Sequence, residues 1–309
     1  SCACNCSYLA LKSFGSHIVV LLGCTFYFKQ AAPSRAAQVH RKLKSQQFPV
    51  QTFFIPLPEV ALFEETFKSI HSVANPPIIS LISFAISTTG TVIWYDHWED
   101  GYEADVTNPV GSTTQVWGDG DSSNGCHPNV SSCTDSNDIF IAGDSVVIQN
   151  TVQIGTKSNP VRDSPQVFFD GADRIQASFP IAVTRAAYPE SPGSLMAGGV
   201  EVLDTTLWGK SFKAPVGGDT VFETDGFQYS ALYVMAGMDD TKVYIKDSSD
   251  PITLDMGESI HVLVNQGDTV ISDKDVQVNF LTGDRSSTYE LRWYSLRSTE
   301  DWSDKYLSP

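Results

Sequence analysis

Acidic side chains are concentrated in the stretch that follows Trp94. The ten residues from Trp94 to Glu103 include four Trp or Tyr residues interspersed with four acidic residues, and a second acidic group spans 119–124. Because Ca²⁺ takes six to eight oxygen ligands, this density of loop carboxylates predicts a structural calcium site, with calcium as the candidate cofactor. The alternative is a solvated acidic face on a protein of net charge −16. The candidate ligands are Asp96, Glu99, Asp100, Glu103, Asp119, Asp121 and Asn124.

The acidic segment 119–130 begins as an EF-hand loop does but does not continue as one. An EF-hand loop needs glycine at its sixth position and glutamate at its twelfth, where this chain has Asn124 and Val130. An EF-hand is therefore excluded.

Aromatic residues interleaved with these acids predict a second kind of site. A ring face beside a carboxylate suits both the C–H face and the hydroxyls of a glycan, although core packing is the more frequent fate of Trp and Tyr. Since side chains alternate along a strand, Trp94 and Tyr95 should lie on opposite faces, and about one of these rings should face outward. The candidate ligand-binding residues are Trp94, Tyr95, Trp98, Tyr102 and Trp117.

Cys126 and Cys133 are the two cysteines of the acidic part of the chain, and they lie seven residues apart in a loop. In an oxidising compartment they would close a small disulfide ring, and in a reducing one they would stay free thiols. Zinc needs more ligands than these two and His127 supply. Asn129, inside the ring, begins an N-glycosylation tripeptide.

The sequence contains parts of catalytic motifs but no complete one. Gly143-Asp144-Ser145 resembles the start of a lipase-like hydrolase, but His261, the single histidine after His127, lies at the wrong spacing from Asp255. His97 among carboxylates serves as an acid–base group, a metal ligand or, more commonly, a structural residue. The sequence therefore predicts a protein that is not an enzyme, with a glycoside hydrolase using paired carboxylates as the alternative.

The first fifty of the 309 residues differ from the rest of the chain. They hold six basic residues and no acid, and they contain one apolar run at 18–28. That run is too short to span a bilayer and matches the core of a secretory signal. We expect a signal or targeting segment over 1–49 and a secreted or cell-surface protein whose body is not inserted in a membrane. An uncleaved signal anchor, a transit peptide or misread upstream sequence are the alternatives.

The remaining chain, 50–309, has the pattern of an all-β protein. After a strand at 51–56 and a helix that opens at Pro58, short β-branched and aromatic runs alternate with turns. This pattern predicts two β-sandwich-like lobes, one short N-terminal helix and a long acidic insertion loop at 104–138. Strands are predicted at 78–86, 91–95, 139–141, 145–149, 167–169, 181–184, 230–235, 242–245, 260–264, 269–271 and 276–281.

Three short segments recur in the same order, which favours an internal duplication over chance. Gly90-Thr91 is echoed by Asp240-Thr241, and Gly143-Asp144-Ser145 by Gly257-Glu258-Ser259. The segment 171–175 is echoed by 267–271. The duplicated units are predicted at about 78–188 and 228–284.

The order of these segments resembles the N-terminal domain of the IgGFc-binding protein family, and the resemblance covers about residues 50–309. The runs 94–103, 117–120 and 291–296 are similar to those of its relatives in large surface proteins of marine microbes. The resemblance implies an extracellular adhesion-associated β-module without established chemistry, and it supplies no IgG-binding motif.

The functional expectation is thus a non-enzymatic extracellular binding or adhesion module that recognises a protein or glycan. A structural spacer within a larger surface protein is the alternative. The net charge of −16 argues against a nucleic-acid partner, because a phosphate backbone would be repelled.

Overall fold

The computed structural model describes residues 48–71, 77–111, 113–152, 167–191, 197–217, 227–284 and 291–303. Nearly all regular structure in these ranges is antiparallel β-sheet, with one short helix, so the all-β prediction is confirmed. The helix, α1, has α-helical turns at Glu59–Ala61 and Lys68–His71 around a π-helical stretch at Leu62–Phe67. Short 3₁₀ turns lie at Thr205–Leu207 and Thr299–Asp301.

The described part of lobe one comprises eight strands in two four-stranded sheets. One sheet has the order β1-β6-β3-β4 and the other β5-β2-β7-β8. Residues of both sheets pack in one buried core. In it, the Tyr95 and Trp117 rings stack on each other, and Phe84 packs edge-on against both. The strands are β1 (Gln51–Phe54), β2 (Ile78–Ile86), β3 (Ile93–Asp96), β4 (Gln115–Trp117), β5 (Ser145–Val152), β6 (Arg174–Ala177), β7 (Ile181–Pro189) and β8 (Gly198–Val202).

Lobe two is built around one long strand. The first part of β14 pairs with β9 and β11, and its second part, after an irregularity between Ile271 and Val276, pairs with β10 and β15. The two parts therefore contribute to two layers that enclose a core of valines, Leu232 and Phe280. The strands are β9 (Gly209–Lys213), β10 (Tyr229–Ala236), β11 (Thr241–Ile245), β12 (Ile252–Leu254), β13 (Ser259–Leu263), β14 (Thr269–Gly283) and β15 (Arg292–Leu296).

The two lobes share one topology. If β14 is counted as two strands, the layers of lobe two run β9-β14-β11-β12 and β13-β10-β14-β15, which repeats the strand orders of lobe one. The related strands extend over 51–202 and 209–296, which is wider than the segments that the sequence echoes cover. The third echo is shifted by one residue, because Ala172 and Gly267 hold the same position, each with positive φ.

Helix α1 lies between the lobes and supplies part of a shared core. Phe63, Phe67 and Ile70 are buried against Tyr233 of β10 and Ile78 of β2. This confirms the helix that the sequence predicts after Pro58. A second contact forms where Trp98 and Phe54 of lobe one pack with Met235 of lobe two.

Several strand predictions are wrong in detail. Residues 139–141 and 167–169 form no strand, and β14 is continuous where two strands were expected. The predicted targeting segment lies outside the described residues except for 48–49. Within the described ranges, no helix combines the length and apolarity needed to cross a membrane.

Candidate functional site

The loops on either side of the fourth strand are much longer in lobe one than in lobe two. The β3–β4 and β4–β5 loops cover 97–114 and 118–144, whereas the equivalent connections in lobe two cover only 246–251 and 255–258. Residues 69–156 contain no lysine or arginine, and ten acidic residues fall within 93–152. Lobe one therefore carries long, strongly acidic loops that its counterpart lacks.

A cleft of about 570 Å³ lies between these two loops, over the outer face of the β3–β4 sheet. Val92, Trp94 and Val116 form an apolar floor; they pack with one another and with Val106. The described residues of the walls include three carboxylates and no basic side chain. The volume of the cleft is within the range of small-ligand pockets. The wall residues are Thr107, Asn108, Pro109, Asp119, Gly120, Asp121, Asn124 and Asp135.

Specific contacts fix the β4–β5 loop against the sheet. The buried carboxylate of Asp138 accepts hydrogen bonds from the N–H groups of Gly118 and Gly120, at 2.7 and 3.0 Å. Burial raises the pKa of Asp138 to about 6. The Val116 N–H donates to the carbonyl oxygen of Asn124, which folds the loop back over the edge of β4. The acidic wall is thus held by backbone contacts as well as by turns.

Carboxylates of the cleft are themselves oriented by local hydrogen bonds. Asp121 accepts from the N–H and hydroxyl of Ser123, and Asp135 accepts from the N–H and hydroxyl of Ser122. Asp119 accepts the side-chain amide of Asn124 at 3.0 Å. That contact defines the orientation of the Asn124 amide, and its Oδ1 is a buried acceptor with no donor among the described residues.

Asp96 and Glu103, two of the predicted metal ligands, both contact Arg174. Arg174 donates two hydrogen bonds to Asp96 and a third to the carbonyl oxygen of Glu103. Burial raises the pKa of Asp96, and the Arg174 charge opposes that shift. Glu103 accepts from the N–H groups of Val110 and Gly111, so these acids organise the β3–β4 loop.

A buried polar cluster lies on the other side of β3. His97 Nδ1 is 2.8 Å from the Phe168 carbonyl oxygen and 3.4 Å from Asp173 Oδ2. Asp173 also accepts from the Tyr95 hydroxyl at 2.7 Å and from the Trp98 N–H at 3.0 Å. Glu99 accepts the Phe168 N–H at 3.0 Å. His97, Glu99 and Asp173 are all buried.

Mutual repulsion and burial shift the protonation of this cluster. Burial raises the pKa of Glu99 to about 7, and the charge of Asp173 adds to the shift. Burial raises the pKa of Asp170 well above its ordinary value, with further contributions from Glu59 and Asp173. Burial alone would lower the pKa of His97, but the charges of Asp173 and Glu99 raise it overall.

One metal-ligand grouping occurs among the described residues: His97, Glu99 and Asp173 offer ligand atoms within 4.8 Å of one another. Two observations favour a structural role instead. The Asp173 oxygens already accept hydrogen bonds from Tyr95, Trp98 and Asp170. Moreover, His97 directly follows β3 as Lys246 directly follows β11, and Lys246 pairs with Asp268. The His97–Asp173 contact thus takes the position in lobe one that the Lys246–Asp268 ion pair takes in lobe two.

The predicted calcium ligands fall in three separate places. Asp96, Asp100 and Glu103 hold the β3–β4 loop, Glu99 joins the buried cluster, and the rest lie in the β4–β5 loop. Of these seven, Asp119, Asp121 and Asn124 line the cleft.

Most of the predicted glycan-stacking rings are buried. Trp94, Tyr95, Trp98 and Trp117 are at most 5% exposed, because they pack in the cores and between the lobes. A broad exposed stacking platform is therefore not formed by them, although Trp94 lies at the floor of the cleft. Tyr102 is half-buried, donates to the Ala172 carbonyl oxygen and lies under the Arg174 guanidinium.

The disulfide between Cys126 and Cys133 is present, as predicted. It closes the distal part of the β4–β5 loop, where Asn129 is exposed and its amide donates to the Ser145 carbonyl oxygen at 3.0 Å. The neighbouring His127 ring stacks on Phe140, and burial lowers the His127 pKa.

Sequence reasoning missed Asp135, Asp138, Asp170 and Asp173. Asp135 and Asp138 carried no motif of their own. Asp173 carried a detectable signal, since it stands beside a turn residue in one of the three echoes and has Asp268 as its counterpart. Comparison of the chain with models of known protein families, with curated proteins and with solved structures found no match.

Proposed function

We propose that this protein is a secreted or surface-displayed recognition module that binds a partner in the acidic cleft of lobe one and performs no chemistry. The observation that carries this proposal is the cleft itself, formed by two long loops that the topologically equivalent lobe lacks. Loops on a rigid sheet scaffold are a common location for binding residues.

An extracellular location is supported by the Cys126–Cys133 disulfide, since such bonds persist mainly in oxidising compartments. The resemblance to the IgGFc-binding protein family agrees with that location. Glycosylation at Asn129 belongs to the same proposal, because this residue is exposed within the disulfide ring.

Recognition is favoured over glycan hydrolysis by the burial of the acids next to the aromatic run. Asp96 is bonded to Arg174, and Glu99 is only 5% exposed within a hydrogen-bonded cluster. A catalytic carboxylate has to contact its substrate, whereas these two are buried and hydrogen-bonded to other residues of the protein.

Array binding by the full-length chain tests the proposal. We expect hits on synthetic peptides or glycans that are lost in the Asp121→Asn/Asp135→Asn double variant, because both carboxylates line the cleft. Asp255→Asn is the matched control, since Asp255 is exposed in lobe two and also accepts a backbone N–H. Absence of any hit for a folded sample would favour the spacer alternative, and turnover of an arrayed glycan would favour an enzyme.

A further inference from the structure

We propose that a second pocket, at the junction of the two lobes, binds a free α-amino acid with an apolar side chain. This pocket shares no lining residue with the acidic cleft, so the inference goes beyond the proposed recognition function. The pocket combines an apolar lining with one cationic and one anionic side chain. These three parts suit the side chain, the carboxylate and the ammonium group of such a ligand.

The pocket has a volume of about 350 Å³ and is lined by residues of both lobes. Phe54 of β1 and Arg174 of β6, which lie opposite each other in their sheet, form the side that belongs to lobe one. Met238, Met256 and Asp275 form the side that belongs to lobe two. Pockets of this size at the junction between domains commonly bind small molecules.

Two rings and two thioethers supply the apolar lining. The ring centroids of Phe54 and Trp208 are 5.8 Å apart, and the Trp208 indole N–H donates to the Leu203 carbonyl oxygen at 3.0 Å, which fixes the orientation of the indole. Met238 and Met256 complete the lining. An apolar side chain would displace water from these surfaces, and flexible thioethers can adapt to its shape.

Arg174 supplies donors for a carboxylate. Its Nε and Nη2 atoms donate to Asp96 and to the Glu103 carbonyl oxygen, and its guanidinium lies over the Tyr102 ring, so the group is held in place. The remaining nitrogen, Nη1, makes no hydrogen bond to a residue that the structure describes. Since Arg174 lines the pocket, the two N–H groups of Nη1 can bind a carboxylate there.

Asp275 supplies an acceptor for an ammonium group. It is exposed on β14 and lines the same pocket as Arg174, and within the described ranges nothing donates to its carboxylate. Asp275 would repel a ligand that carries a carboxylate alone, and Arg174 would repel one that carries an amine alone. The pair therefore favours a ligand with both charges, and a free amino acid carries both next to its side chain.

Ligand-observed NMR titration of the whole chain with three compounds tests the inference. L-Phenylalanine, 3-phenylpropionate and phenethylamine share a phenyl ring and a two-carbon stem, but the second lacks the ammonium group and the third lacks the carboxylate. We expect phenylalanine to bind at least about tenfold more tightly than either analogue, because each analogue loses one attraction and keeps one repulsion. Binding of either analogue as tightly as phenylalanine would overturn the inference.

Two variants at exposed positions locate the binding. Asp275→Asn should weaken the binding of phenylalanine by about three- to tenfold but should not weaken that of 3-phenylpropionate, which has no ammonium group. Met238→Ala should weaken both by about threefold or more, because part of the apolar lining is lost. Asp250→Asn is the matched control, since Asp250 is exposed in lobe two and lies outside the pocket. Unchanged phenylalanine binding in both pocket variants would overturn the inference.

Two further measurements separate the competing sites and sources. Loss of phenylalanine binding in the Asp121→Asn/Asp135→Asn double variant would place the ligand in the acidic cleft. Equal binding of L-phenylalaninamide would assign the pocket to the first residue of a polypeptide. Either result overturns the inference, as does the absence of binding at about 10 mM phenylalanine. The array experiment tests the recognition function separately, so that function can stand when this inference fails.

Discussion

Asp173 and Asp268 hold the same position in the two lobes. Each accepts the N–H of the residue three places earlier, and the carbonyl oxygen of each accepts from the residue after the lobe's first strand, Ile55 or Ala214. Each also faces a basic side chain that follows the third strand. The difference is burial, because Asp173 is fully buried and Asp268 is partly exposed.

This relationship predicts unequal costs for the same substitution. Asp173→Ala should lower the free energy of unfolding by about 3 kcal/mol, because buried donors on Tyr95, Trp98 and Asp170 lose their acceptor. Asp268→Ala should cost about 1 kcal/mol, since it removes one turn contact and a surface ion pair. Urea unfolding of both variants measures the difference. Equal costs would contradict the structural role assigned to Asp173.

Gly257 and Gly143 form a second equivalent pair, both at positive φ. A Cβ on Gly257 would overlap the Tyr102 hydroxyl and the Trp98 indole, whereas a Cβ on Gly143 would meet nothing within 4 Å. Gly143→Ala should therefore cost about 1 kcal/mol for backbone strain alone. Gly257→Ala should cost about 3 kcal/mol or more, because the contact between the lobes must also open. Thermal unfolding that ranks the two variants equally would refute the close approach.

The pH dependence of stability should report on Glu99. Its pKa of about 7 in the folded protein lies above the ordinary value of 4.5, so the folded chain holds a proton that the unfolded chain releases between these values. The contribution of Glu99 to the free energy of unfolding is fully present below about pH 4.5, where the side chain is protonated in both states. As the pH rises to about 7, this contribution falls by up to about 3 kcal/mol.

Glu99→Gln removes this titration while keeping an acceptor for the Phe168 N–H. The variant should gain stability relative to the wild type between pH 5 and pH 8, by about 1–3 kcal/mol. Glu201→Gln is the control, because Glu201 is exposed on β8. Melting temperatures measured across this pH range test this prediction. Parallel curves of melting temperature against pH for the wild type and Glu99→Gln would contradict the raised pKa of Glu99.

Arg185 and Glu59 form a buried ion pair at the start of α1. Arg185 also donates to the Ser80 hydroxyl, and Glu59 accepts the Gly171 N–H, so the pair connects the helix to strands β2 and β7 and to the loop before β6. Arg185→Met should cost about 3–5 kcal/mol, since it leaves the buried Glu59 side chain without its cationic partner. The Glu59→Gln/Arg185→Met double variant should recover part of that loss. A double variant that is less stable by the sum of both single costs would contradict the coupling.

Much of the fold could be predicted because its strands carry local signals. The apolar run of β2 is bounded at 78–86 as expected, and the positive-φ turn at Gly143 recurs at Gly257 in sequence as well as in structure. Strands such as β4 and β12 were missed, because three residues at a sheet edge carry too little periodicity.

The cleft could not be derived in the same way. Trp94, Asp119 and Asp135 meet there only because one loop folds back over β4 and another lies beside it. Likewise, His97 and Asp173 are brought together by the pairing of β3 with β6, which no local pattern encodes. The residue types predicted an acidic binding region. Which of its acidic residues line the cleft depends on how the loops and strands pack in the folded protein.

The absence of basic residues from the long loops of lobe one has a consequence for proteolysis. Trypsin-like proteases cleave after lysine or arginine, and no such residue lies between Lys68 and Lys157. Trypsin-like proteases therefore have no cleavage site in the loops that form the cleft, including the disulfide ring, even where these loops are exposed. Cleavage by trypsin should therefore leave this acidic part of the chain as one uncut fragment.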